Sequence, residues 1–158
     1  MILRLRNQQC DSNLVYSSLH DQNDFYKVLE MDLRQVKQEV IIESPFVSYK
    51  RLNYMLPILK GLQRRNVQIV INTKHPDEQR ETFSRIDGCI TTLQNMGSMV
   101  LFTGGHHRKL AILDREVIYE GSLNILSQND SCEIMRRIES TQLARQMINF
   151  IGIKTFIN

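Results

Sequence analysis

The chain of 158 residues is 42% apolar and 23% charged, the balance of an ordinary soluble globular protein and a length that suits one domain, 1–158, with a real core. No stretch approaches the length of a membrane span, and Met1 to Arg6 lacks the apolar run of a signal peptide, so the expectation is a cytoplasmic protein with no membrane partner. Three scattered cysteines, Cys10, Cys89 and Cys132, fit reduced thiols, and a net charge of +3 permits a polyanionic partner without demanding one.

In chain order, Leu3-Arg4-Leu5 and Leu14-Val15-Tyr16 read as short strands. Asp24 to Gln38 places Phe25, Val28, Leu29, Leu33 and Val36 on one helical face, with Asn23 or Asp24 as the cap. Val40-Ile41-Ile42 reads as a buried strand closed by Ser44-Pro45. A second helix starts near Ser48 with the stripe Leu52, Met55, Leu56, Leu59 and Leu62, and Pro57 should kink or break it. Val67 to Ile71 is a strand, Lys74 to Asp77 a loop, and Phe83, Ile86, Ile90 and Leu93 mark a helix ending near Gly97. Met99 to Phe102 is a strand, Gly104-Gly105 introduces a hairpin, Cys132 to Ile138 is a further strand, and Thr141 to Phe150 a final helix. This alternation predicts an α/β fold: a mixed, mostly parallel sheet with helices on both faces. There is no internal repeat and no linker.

The hairpin carries the chemistry. His107, Lys109, Asp114, Gly121, Ser122 and Asn124 form the pattern His-x-Lys-x4-Asp-x6-Gly-Ser-x-Asn across two apolar runs, Leu110 to Leu113 and Val117 to Tyr119. An imidazole can attack phosphorus, while an ammonium and a carboxamide can hold the phosphate oxygens. If Arg115-Glu116 form the loop, His107 lies opposite Asn124; if Asp114-Arg115 form it, His107 lies opposite Ser122. Both registers place His107, Lys109, Ser122 and Asn124 on one face, an inference that a three-residue loop would break. Asp114 has the opposite parity and suits fixing the turn and bonding backbone amides. Arg108 should reach a neighbouring phosphate. Ser44 and Ser122 are further candidate substrate contacts. Adjacent His106 and His107 point opposite ways and cannot converge with His75 on an ion, so no metal and no cofactor is expected.

At these residues the chain resembles the phospholipase D superfamily, whose signature is this His-Lys-Asp motif with a trailing Gly-Ser-x-Asn. Glu39 to Phe46 resembles its first core strand and turn, and Leu62 to Val70 its helix running into the second strand. Many members carry the motif twice, whereas it occurs here once. In-line displacement at phosphorus needs a nucleophile and an acid on opposite sides, and one chain offers one suitable histidine. A two-fold homodimer is the economical solution, as resemblance to the single-motif nucleases also implies. One His107 would form a phosphohistidine and the other would protonate the leaving oxygen. Lys109 and Asn124 would stabilise the transition state in place of a divalent ion. Glu133, shortly after the motif, is the candidate to orient His107, as the family similarly places a carboxylate there.

The superfamily spans phospholipases, phosphatidyl transferases and nucleases. Basic residues beside the motif and the absence of a secretory segment favour nucleic acid, DNA before RNA. The lack of tryptophan favours duplex backbone binding over a stacking platform for single strands. Resemblance to restriction-enzyme and helicase-linked cleavage domains implies a separate recognition or helicase domain as partner. The alternatives are a phospholipase or small-phosphodiester hydrolase, and a non-catalytic dimeric DNA-binding module.

Overall fold

A computed structural model of the chain describes residues 16–127 and 130–153, so the expected strands at Leu3 to Leu5 and Leu14-Val15 lie outside the described residues. The strands are β1 (Tyr16–Asp21), β2 (Glu39–Glu43), β3 (Gln68–Thr73), β4 (Met99–Phe102), β5 (Leu110–Leu113), β6 (Val117–Gly121) and β7 (Ile134–Glu139). The helices are α1 (Phe25–Gln35), α2 (Tyr49–Arg64), α3 (Phe83–Asn95) and α4 (Thr141–Ile151). A single sheet of order β1-β7-β6-β5-β2-β3-β4 contains all the described strands.

The sheet is mixed, as expected, but the parallel pairings are confined to β2–β3 and β3–β4. The other four pairings are antiparallel: β5 runs against β2, β6 against β5, β7 against β6 and β1 against β7. A mostly parallel sheet is therefore corrected to one whose parallel part is the smaller. Helices do cover both faces. Val40, Ile42, Ile69, Ile71, Leu113 and Tyr119 point to the layer of α1, α2 and α3, whose inward residues include Leu29, Leu33, Leu59 and Leu93. Ile41, Val70, Ile112 and Ile118, one residue out of step, meet Ala144 and Ile148 of α4.

Two local expectations change. Pro57 lies inside α2 without breaking it: the proline faces solvent while Leu52, Met55, Leu59 and Leu62 stay buried on either side, so packing outweighs one lost backbone bond. Ser48 caps this helix by accepting from the Arg51 amide at 3.3 Å. Strand β1 extends to Asp21, beyond Tyr16, its outer residues Tyr16 and Leu19 being exposed at the sheet edge.

Candidate active site

The motif hairpin adopts neither of the two expected registers. Leu113 faces Val117 and Leu110 faces Glu120, which leaves three residues, Asp114 to Glu116, in the loop. Asp114 and Arg115 both take left-handed backbone angles, φ 49° and 58°. Non-glycine residues rarely do so, and here tertiary contacts hold them. The Asp114 carboxylate accepts from the amides of Lys37 and Gln38 at 2.8 Å and of Glu39 at 3.0 Å. Arg115 forks onto Glu39 at 2.7 and 3.0 Å. Asp114 thus bonds backbone amides of the α1–β2 connection, at the end of β5 away from His107.

Alternation along two straight strands does not gather the rest of the motif. Strand β6 stops at Gly121, where a side-chain Cβ would lie 2.1 Å from the Ile134 carbonyl oxygen. The chain then turns off the sheet while Ser122 stays bonded to Ile134, its amide donating to the Ile134 carbonyl at 2.9 Å and its Oγ accepting from the Ile134 amide at 3.0 Å. Leu123 to Ser127 run inward and bury Asn124 to 4% exposure, leaving its Oδ1 without a hydrogen-bond partner.

His107 is exposed, ahead of β5, with Lys109 Nζ 3.1 Å from its Nδ1. The Lys109 charge, then partial desolvation, then Lys74 and Arg80 hold the imidazole below the ordinary histidine range, which favours its neutral form. The same two cations flank Phe46, Arg80 at 4.3 Å and Lys74 at 4.8 Å from the ring centre, and that ring stands edge-on to His107 at 6.1 Å. Burial lowers the Lys109 ammonium's pKa, and Glu133 opposes that shift. Glu133 is held below the usual carboxylate range by hydrogen bonds from Ser122 and Ser131, the latter at 2.5 Å, with Lys109 adding to the effect. An exposed imidazole thus stands among Lys109, Lys74 and Arg80, with an ionised Glu133 beside Lys109. Phe46 and Arg80 were not singled out from sequence; Lys74 was visible only as part of a basic pair.

Arg108 does not reach outward for a phosphate. It forks onto Glu43, which is fully buried, with Nη2 2.9 Å from Oε1 and Nε on Oε2. Asn72 Nδ2 donates to Glu43 Oε1 at 2.9 Å, and Thr103 Oγ1 donates to Asn72 Oδ1 at 3.0 Å. This ties the start of β5 to the ends of β2, β3 and β4. Ser44 is likewise no substrate contact: it is fully buried, donating to the Phe46 carbonyl at 2.8 Å and accepting from the Leu126 amide at 3.0 Å. His106 points inward, as alternation with His107 requires, and both its ring nitrogens lack partners. Among the described residues no three His, Cys, Asp or Glu side chains are placed to share a metal ion, and no helix is long and apolar enough to cross a membrane.

Among solved structures, the chain is similar to NucT from Helicobacter pylori at a TM-score of 0.70 and 16% identity, covering 86% of this chain and 92% of that one. It is equally similar, at 0.70 and 14% identity, to Nuc from Salmonella typhimurium, a phospholipase D family member, covering 86% and 91%. The chain has the phospholipase D-like fold. The phosphatidylserine synthase of Haemophilus influenzae shares that fold at a TM-score of 0.60 and 15% identity, over 84% of this chain and 36% of that one. No family model matches the sequence, and no curated protein matches it.

Proposed function

We propose that the chain is a metal-independent phosphodiesterase acting as a DNA endonuclease, with a covalent phosphohistidine on His107 in a site completed by a second copy of the chain. The observation that carries this reading is the exposed His107 with Lys109 Nζ 3.1 Å from its Nδ1 on a phospholipase D-like fold, where the cations around it favour the neutral imidazole. Neutral imidazole attacks phosphorus; the new P–N bond forms as the bond to the leaving oxygen breaks, and His107 of the partner subunit gives that oxygen a proton. Water, deprotonated by the same partner histidine, then attacks phosphorus and the P–N bond breaks. Lys109 and Asn124 hold the equatorial oxygens, and Glu133 accepts a hydrogen bond from the Nδ1–H of His107, which stabilises the positive charge that builds on the ring.

The test is incubation of the purified protein with plasmid DNA, single-stranded DNA and RNA in excess EDTA, beside His107→Ala. Cleavage by the wild type alone, with at least a thousandfold loss (~10³) in the variant, supports the reading. No cleavage of any of the three overturns it.

A second reading, hydrolysis of a lipid phosphodiester, draws on an apolar groove beside Lys109. Leu19, Ile134, Met147 and Phe150 line it, and Phe150 is 80% exposed. Turnover of phosphatidylcholine vesicles with no nucleic-acid cleavage would favour that substrate.

A further inference from the structure

On the inner side of Asn124 and Glu133 lies a cavity of about 410 Å³, a volume within the usual range for small-ligand sites. Its other walls come from Gln22 and Asn23 of the β1–α1 turn, Tyr26 of α1, Arg51 of α2, and Ser127 and Asp130 to Cys132 between β6 and β7. Two of its lining residues each carry a buried polar atom with no hydrogen-bond partner, the acceptor Asn124 Oδ1 and the donor Arg51 Nε, which a ligand reaches by shifting these side chains. Leaving either unsatisfied costs about 1–3 kcal/mol, so the pair is suited to a ligand that brings one donor and one acceptor.

Charge narrows that ligand. Glu133 and Asp130 both line the cavity against the single Arg51 guanidinium. An ionised phosphodiester is acceptor-only, so it does not satisfy Asn124 Oδ1 and is repelled by two carboxylates. A nucleobase edge is uncharged and sets a donor beside an acceptor. The guanidinium of Arg51 lies over the Tyr26 ring at 3.6 Å, so one face is backed by an aromatic ring and the plane is braced for a base to stack upon.

We infer that this cavity is a nucleobase subsite: resting on the nuclease reading above, it takes the base of a nucleotide next to the scissile phosphate, stacked on Arg51 and bonded to Asn124. A base paired within a duplex cannot enter a concave site. The substrate is therefore a single strand, or a duplex from which one nucleotide is extruded. This departs from the duplex-backbone expectation drawn from the absence of tryptophan, because the stacking surface here is an arginine plane.

The experiment titrates the protein with uncharged ribo- and deoxyribonucleosides and, separately, with inorganic phosphate, following side-chain NMR resonances of Asn23, Arg51, Asn124 and His107. The expected result is that at least one nucleoside shifts Asn23 and Arg51 while phosphate shifts His107 and leaves Asn23 and Arg51 in place, and that Arg51→Met weakens nucleoside binding about tenfold, as loss of a base stack does. Gln22→Ala is the second variant, should Arg51→Met fail to fold, with the same direction expected. No nucleoside shift, or wild-type affinity in a folded variant, overturns the subsite. Nucleoside binding does not depend on turnover, so failure of the EDTA cleavage assay would end the nuclease reading and leave this result standing. Sequenced cleavage products should show one skewed base position beside the cut that flattens in Arg51→Met; uniform composition in the wild type overturns the subsite without touching the nuclease reading.

Discussion

Lys109 Nζ lies 3.1 Å from His107 Nδ1 and 2.7 Å from the His107 carbonyl oxygen, so the motif's cation is folded back onto its imidazole. An ammonium in that place donates to Nδ1 and leaves the ring proton on Nε2. Attack through Nε2 requires the opposite tautomer. In the proposed mechanism, a phosphate that draws Lys109 to its oxygens would release Nδ1 to carry the proton and so link substrate arrival to activation of His107.

The cations around His107 set its titration. Positive neighbours disfavour imidazolium, so removing one raises the pKa of His107. Lys74→Met should move the His107 NMR titration, and with it the acid limb of the pH–rate profile, to higher pH. An unchanged or lower midpoint would show that Lys74 does not act on the ring.

Arg108 neutralises a carboxylate with no access to water, Glu43. Arg108→Ala should destabilise the protein by about 3 kcal/mol in denaturant unfolding, since it strands a buried charge. Adding Glu43→Gln should recover part of that loss, and additive losses in the double-variant cycle would contradict the pairing.

Asp114 belongs to the motif by sequence but to the α1–β2 connection by contact. Asp114→Ala should lower stability by about 2 kcal/mol, by leaving three amides without their acceptor. Below the unfolding temperature, activity per folded molecule should stay within a few-fold (~3-fold) of wild type. A loss of activity as large as that of His107→Ala, in a folded variant, would return Asp114 to the chemistry.

Gly121 is needed for space, its φ being unremarkable. Gly121→Ala drives a methyl into the Ile134 carbonyl and should cost at least the upper end of about 1–3 kcal/mol, separating β6 from β7. Thermal unfolding of the variant within a degree or two (~1–2 °C) of wild type would show that the strands can part without penalty.

The motif was legible because His107, Lys109 and Asn124 lie within eighteen positions of one another, around two apolar runs that read as a hairpin. The register was not legible. Two consecutive left-handed residues at Asp114 and Arg115 are stabilised by Lys37, Gln38 and Glu39, some 75 positions away, and no local signal encodes that. Arg108 and Ser44 were misread for the same reason: a charged or hydroxyl side chain beside a motif reads as substrate-binding until its buried tertiary partner is known. The inner cavity was invisible because Gln22, Arg51 and Asn124 meet only through the fold. Only Tyr16 of β1 was read as strand, because Ser17 to Asp21, exposed or half-buried throughout, has no apolar alternation to reveal it.

Two chemically identical side chains stand next to each other at the start of β5, and only one faces outward. A slip of one position along the strand would exchange His106 for His107 at the site, and neither residue type nor helix packing distinguishes the two. The Arg108 fork does. Only a guanidinium can fill the bidentate seat offered by Glu43, and the residues a slip would bring there, His107 or Lys109, cannot. The buried carboxylate thus works as an index pin that selects which of two imidazoles is exposed.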